Sequence, residues 1–231
     1  MGIIVYLLNV SKLKEASSED ELFKDVRGLL DAERLEKFDR MRAKGVKAHS
    51  GGAGLLIQWF VNKLKQDYNF TRNLEADSGK DFEITELELD EIIGFLKICG
   101  APAECEYVYS PEGKPKLKNI KYEFNLSHSG DYVALAVGKN AVGIDIQELE
   151  RRFDVNIAEK FFHPCERGIT EKRDFYRLWT RKEAYAKLKG ESLTAYLDKD
   201  MTDKGIEAIK DVIFGEVEMT DDYICTFCYA L

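Results

Sequence analysis

Trp179-Thr180-Arg181-Lys182-Glu183-Ala184-Tyr185-Ala186-Lys187 places three chemically distinct side chains in helical register. Trp179, Glu183 and Lys187 fall at i, i+4 and i+8, so an aromatic ring, a carboxylate and an ammonium share one face. Upstream, Val142-Gly143-Ile144-Asp145-Ile146-Gln147 reads as a strand. Its period of two separates Val142, Ile144 and Ile146 from Gly143, Asp145 and Gln147, which leaves a second carboxylate on the polar face of an apolar strand. The two stretches together suggest an organisation that brings Asp145 and Glu183 around one cation.

The chain has 231 residues, enough for one sizeable domain or two lobes sharing a core. Its 45% hydrophobic and 33% charged residues are those of an ordinary soluble globular protein. A net charge of −8, from 34 Lys and Arg against 42 Asp and Glu, argues against general affinity for nucleic acid or an anionic membrane, while leaving room for a local basic pocket. The apolar start, Met1 to Val10, lacks a basic n-region and is too short to span a bilayer, and Tyr6 stands where a myristoylation signal needs Ser or Thr. It reads as a buried strand of a cytoplasmic protein. The five cysteines include one CxxC spacing, Cys225 and Cys228, inside an apolar run. Reduced strand cysteines outweigh a zinc or redox centre there.

Along the chain, Ser17-Ser18-Glu19-Asp20 is expected to cap a helix entering Leu22-Phe23, and Asp31 to Phe38 to form another short helix. In the latter, Arg34 and Lys37 stand at i, i+3 and read most simply as a solvated face paired with Glu33 and Glu36. Ser50-Gly51-Gly52-Ala53-Gly54 precedes a dense apolar run expected as a core helix packed through small residues; without GK[ST] or GxGxxG the glycines are weak evidence for a phosphate loop. Tyr68 to Lys80 reads as a loop, Phe82 to Leu89 as a strand and Asp90 to Cys99 as a helix. Pro111-Glu112-Gly113-Lys114-Pro115 is a turn, Tyr132 to Val137 a strand, and Lys139-Asn140 a hairpin turn into Val142. Helices through Ile157 to Phe162 and Trp179 to Lys187, then strands at Val212 to Val217 and Tyr223 to Ala230, complete the chain.

Four segments occur in order: Gly113-Lys114-Pro115, Asn125-Leu126-Ser127-His128-Ser129, Val142 to Gln147, and Trp179 to Lys187. Together they resemble the motif series of the 4′-phosphopantetheinyl transferases, in particular the long, surfactin-synthetase-activating type. The resemblance is specific over residues 113 to 187 and weaker elsewhere, where it includes Arg34, Lys37 and Phe161-Phe162-His163-Pro164-Cys165-Glu166. It implies transfer of the phosphopantetheine arm of coenzyme A to a serine of an apo carrier protein, whether acyl, peptidyl or aryl carrier, with release of adenosine 3′,5′-bisphosphate.

The resemblance also implies roles for individual residues. Asp145 and Glu183 would be ligands of a Mg²⁺ that neutralises the pyrophosphate under attack. Gln147 stands where relatives often carry Glu, and would offer an amide oxygen or hold a water. Lys187 would face the phosphates as a transition-state cation, where the alternative is a weak i, i+4 pair with Glu183. Ser127 and His128 would donate to phosphate oxygens, and Lys114 and Pro115 would border the adenine and phosphates. Arg34 and Lys37 correspond to positions holding the 3′-phosphate, with His49 where a further cation is usual. Catalysis would rest on Glu183, Lys187 and Asp145, the nucleophile belonging to the partner.

The expected fold is α/β (α+β), built of two similar lobes related by a pseudo-twofold, roughly 1–140 and 141–231, with coenzyme A in the cleft between them. A monomer is expected, since the long type resembles two fused copies of the short, trimerising synthases. Arg151-Arg152 is the candidate surface for an acidic carrier, against the alternative of a solvated pair beside Glu148 and Glu150. The stretch from Tyr68 to Cys105 looks like an insertion with no assigned function. Two other function classes stay open: a coenzyme A-binding module that has lost transfer, and a Mg²⁺-dependent pyrophosphohydrolase.

Overall fold

A computed structural model describes residues 2–17, 19–67, 70–71, 74, 82–149 and 154–231. The chain is a mixture of helices and sheets, as expected. Its elements run β1 (Ile3–Asn9), α1 (Ser11–Glu15), α2 (Glu21–Gly28), α3 (Ala32–Arg40), α4 (Lys44–Gln66), β2 (Phe82–Leu87) and α5 (Leu89–Cys99). There follow β3 (Tyr107–Tyr109), β4 (Pro115–Leu117), β5 (Glu123–Ser129), β6 (Tyr132–Gly138) and β7 (Val142–Glu148). The remainder comprises α6 (Val155–Phe161), α7 (Lys172–Lys189), α8 (Asp203–Glu207), β8 (Val212–Val217) and β9 (Tyr223–Ala230). Two compact units result, Met1–Glu106 with Asp131–Leu135, and Tyr107–Gly130 with Ala136–Leu231.

In the first unit, β1 is buried from Ile3 to Leu8, the signature of a strand covered on both faces. It pairs in parallel with β2, from Ile3↔Phe82 to Leu8↔Leu87. The expected core helix packed through small residues is α4, which begins at Lys44, so that Gly51 to Gly54 lie inside it. Close packing explains this: a Cβ on Gly52 would stand 2.6 Å from Val10 Cγ1 and 3.0 Å from Val133 Cγ2. The helix-propensity loss of roughly 1 kcal/mol per glycine is offset by that contact. Asp31 caps α3 by accepting the Arg34 amide at 3.1 Å. Asp20 stands at the N-cap of α2, yet its carboxylate accepts from the Ser17 amide instead of from the helix. Among the described residues no helix is long and apolar enough to cross a membrane.

In the second unit, β3 and β4 form an antiparallel hairpin, and Gly113, at φ 83°, supplies the left-handed conformation of the turn. A three-stranded antiparallel sheet has the order β7-β9-β8. The hairpin expected at Lys139-Asn140 is therefore corrected, because β6 and β7 belong to different sheets. One edge of β7 is taken by β9, with Val142↔Tyr229 through Glu148↔Tyr223, and side chains cover the other, as described below. Cys225 and Cys228 are both fully buried in β9. Three positions apart on a strand, they point to opposite faces and cannot chelate one ion.

Helix α7 lies across β7 and β9. Gly143 makes the approach possible, since a Cβ there would overlap the Ala184 carbonyl oxygen and stand 2.7 Å from Leu188 N. Phe162, Phe175 and Trp179 stack against one another, with Phe162 and Phe175 parallel at 5.5 Å and Phe175 and Trp179 at 5.9 Å. Trp179 thus fixes α7 by packing.

Candidate active site

The edge of β7 that faces away from β9 is closed by side chains. Ile144 N donates to Asn125 Oδ1 at 2.9 Å, Ile146 N to Ser127 Oγ at 3.3 Å, and Glu148 N to Ser129 Oγ at 2.9 Å. The carbonyls on the same edge are also met: Val142 O accepts from Lys114 Nζ at 2.9 Å and Ile144 O from Lys187 Nζ at 3.1 Å. Asn125, Ser127 and Ser129 repeat at the strand period of β5, so one face of β5 offers an acceptor to every second amide of β7. A strand pairing is replaced by a row of side chains.

Asp145 sits on the face of β7 that carries Gly143, toward α7, and is 1% exposed. Its Oδ1 accepts from Lys187 Nζ at 2.6 Å and from Ser127 Oγ at 2.9 Å, and its Oδ2 from Gln147 Nε2 at 3.1 Å. Lys187 also donates to Ser127 Oγ at 3.1 Å. Its three acceptors, Asp145, Ser127 and Ile144 O, match the three donors of an ammonium. To touch a phosphate oxygen it must exchange one of them.

Glu183, one turn before Lys187 on α7, is half-buried, and among the described residues no hydrogen bond reaches its carboxylate. Burial raises its pKa, the negative charge of Asp145 raises it further, and Lys187 opposes both. Two carboxylates whose charges disfavour each other, one of them without a donor, suit a hard divalent cation. Asp145 and Glu183 therefore fit Mg²⁺. Gln147 turns its amide nitrogen to Asp145, leaving its carbonyl oxygen as the group that could face the ion or a water.

The second unit thus holds Lys114, Pro115, Ser127, His128, Asp145, Gln147, Glu183 and Lys187, whereas Arg34, Lys37 and His49 belong to the first. Pro115 opens β4 opposite Tyr109. His128 is exposed and alternates with Ser127, so it projects to the other side of β5. Burial lowers the Lys114 pKa to about 8. In the first unit, Arg34 is buried and Lys37 pairs with Glu33 at 2.9 Å, while Glu36 bonds Arg40. His49 lies half-buried within α4. Arg151 and Arg152 lie outside the described residues.

Several residues that organise the site carry no role in the sequence reading. Lys182, between Arg181 and Glu183, is fully buried and bonds Glu166 Oε2 at 2.6 Å and Lys199 O at 2.5 Å. Glu166 Oε1 in turn accepts the Met201 amide at 2.6 Å. Burial lowers the Lys182 pKa, and the hydrogen bond to Glu166 opposes that shift. Thr180 and Thr226, from α7 and β9, meet through their hydroxyls at 2.8 Å. The spacing of Asn125, Ser127 and Ser129 is the one signal that could have been read in advance.

Residues 141–228 match the family described as the 4′-phosphopantetheinyl transferase superfamily. The 4′-phosphopantetheinyl transferase psf-1 of Bacillus pumilus is 42% identical over 106 residues, covering 38% of this chain and 44% of that protein. The 4′-phosphopantetheinyl transferase gsp of Aneurinibacillus migulanus is 32% identical over 131 residues, 50% of this chain and 54% of the relative. The 4′-phosphopantetheinyl transferase Sfp of Bacillus subtilis (strain 168) is 34% identical over 94 residues, 37% and 42% of the two chains. The chain thus spans about half the length of the curated relatives it matches. Residues 141–228, which hold the Val142–Gln147 and Trp179–Lys187 segments, thus carry the pattern of the superfamily that the four segments resemble.

Proposed function

We propose that this chain, whose residues 141–228 carry the superfamily pattern, is a 4′-phosphopantetheinyl transferase that moves the 4′-phosphopantetheine arm of coenzyme A onto a serine of an apo carrier protein. The observation that carries the reading is the meeting of Asp145 from β7 with Lys187 from α7 at 2.6 Å, with Glu183 one turn away and free of chain donors among the described residues. In the reaction the carrier serine oxygen attacks the pantetheine-side phosphorus. The bond from that phosphorus to the bridging oxygen breaks, and adenosine 3′,5′-bisphosphate leaves.

Each group of the chain has a definable task. Asp145 and Glu183, with Gln147 beside them, would hold Mg²⁺, which neutralises phosphate oxygens that otherwise repel the nucleophile. Glu183 would be the carboxylate that receives the serine proton. Lys187 and Ser127 hold Asp145 in one orientation, and Lys187 can exchange an acceptor for a phosphate oxygen as charge develops. Lys114, Pro115 and His128 would border the ligand, and Arg34, Lys37 and His49 would serve the 3′-phosphate.

The test is incubation with coenzyme A, Mg²⁺ and a panel of apo carrier proteins, followed by carrier mass. A gain of one phosphopantetheine per carrier supports the reading. Cleavage of coenzyme A without a carrier adduct, or binding alone, overturns it in favour of a hydrolase or an inactive module. Glu183→Gln should lower transfer by roughly 10²-fold or more. Near-normal turnover by the folded variant, or full activity in EDTA, would remove the carboxylate and metal roles.

A further inference from the structure

The turn after α6 and the loop before α8 bring together three side chains that the transfer reaction leaves unused. His163 caps the short 3₁₀ turn Pro164–Glu166, its Nδ1 accepting the Cys165 amide at 3.4 Å. Cys165 Sγ stands 2.8 Å from the same nitrogen. Asp200 reaches the thiol from the other segment. One ligand atom from each of the three residues lies within 4.8 Å of the others.

We propose that His163, Cys165 and Asp200 form a transition-metal site that takes Zn²⁺, separate from the Asp145–Glu183 pair. Imidazole nitrogen, thiolate sulfur and carboxylate oxygen are a mixed donor set suited to zinc and poorly suited to magnesium. Bond lengths of about 2.0 Å to nitrogen and about 2.3 Å to sulfur put ligand atoms of a tetrahedral set about 3.3 to 3.8 Å apart. The nitrogen and sulfur stand 2.8 Å apart and all three ligand atoms lie within 4.8 Å of one another, close enough for side-chain rotation to bring them onto one ion. His163 Nδ1 accepts the Cys165 amide at a long 3.4 Å, and on binding it would exchange that weak contact for the metal. Asp200 Oδ1 is fixed by Thr202 N at 2.9 Å and Thr202 Oγ1 at 2.7 Å, which leaves Oδ2 for the ion. On binding, Cys165 releases its proton to solvent, three protein lone pairs enter the metal sphere and a water fills the fourth position. Cys165 is exposed, so the ion has a direct entry path.

The scaffold under these ligands is already rigid. Glu166, next to Cys165, takes the Met201 amide, next to Asp200, and holds the fully buried Lys182 at 2.6 Å. Bound Zn²⁺ would close a second link between the same two segments. It would stiffen the loop that seats Lys182, the residue before Glu183, without touching the transfer chemistry.

Co²⁺ added to the full chain reports the site through thiolate-to-metal charge-transfer absorbance. One equivalent should give the band in the wild type and in Asp145→Asn, one equivalent of Zn²⁺ should remove it, and Cys165→Ser should lack it. At a hundredfold excess over its Kd, Zn²⁺ should raise Tm by roughly 5 °C or more, and Cys165→Ser should lose most of that rise. Absence of a stoichiometric thiolate band in the wild type overturns the site, as does a band that persists in Cys165→Ser or disappears in Asp145→Asn.

Discussion

Ser127 grips Asp145 and the strand that carries it at once, donating its hydroxyl to Asp145 Oδ1 at 2.9 Å and accepting the Ile146 amide at 3.3 Å. The serine implied as a phosphate donor makes contacts that suit an orienting group for the carboxylate. Ser127→Ala should lower transfer or apparent Mg²⁺ affinity by about 10- to 100-fold, the usual loss when a residue that orients a ligand is removed. Ser127→Thr should recover most of it. If the variant instead raises only the KM for coenzyme A at unchanged Mg²⁺ dependence, Ser127 is a ligand contact and the orienting role fails.

Lys182 and Glu166 form an ion pair with no exposed surface. Removing one partner strands a buried charge, so Lys182→Met or Glu166→Gln alone should cost about 3 to 5 kcal/mol in urea unfolding. The double variant should recover a substantial part of that loss. Single variants within about 0.5 kcal/mol of wild type would show that the charges are not desolvated as their burial indicates.

Gly143 is where α7 meets β7 backbone to backbone. Gly143→Ala should push the helix off the strand, destabilise the fold by about 1 to 3 kcal/mol or more and separate Asp145 from Lys187, so stability and transfer fall together. Gly28→Ala, where an added Cβ meets nothing within 4 Å, serves as the control and should leave Tm unchanged or slightly higher. Equal thermal stability of Gly143→Ala and wild type would contradict the close approach.

Lys114 has its pKa lowered to about 8 because burial disfavours the ammonium. If it borders the phosphates of coenzyme A, binding needs the charged form, which is present below that pKa and lost as pH rises through it. The KM for coenzyme A should therefore climb between about pH 7.5 and 9 in the wild type. Lys114→Arg, charged throughout, should flatten the rise. An identical pH profile in the two proteins would remove Lys114 from the ligand's neighbourhood.

Strand β7 and helix α7 were legible because their side chains obey clean periods of two and 3.6, and these two elements carry Asp145, Glu183 and Lys187. Pairing was less legible. Lys139-Asn140 looks like a hairpin turn because sequence shows adjacency, whereas β7 finds its neighbour in β9 at the far end of the chain. The small residues Gly51 and Gly52 announced a closely packed helix, but not that Val10 and Val133 would be among its neighbours. Lys182 drew no role from the sequence, since its burial depends on Glu166 and the Lys199 carbonyl, both brought to it only by the fold. Asp200 gave no hint of His163 and Cys165 for the same reason.

The row of side chains along β7 has a further consequence for self-association. An open strand edge is a template for any passing strand, and proteins usually blunt it with charge, proline or a covering element. Here Asn125, Ser127, Ser129, Lys114 and Lys187 occupy the donors and acceptors an invading strand would use. The residues that orient the candidate catalytic carboxylate are thus also gatekeepers against edge-to-edge aggregation. Substitutions among them are expected to act twice, once on turnover and once on solubility.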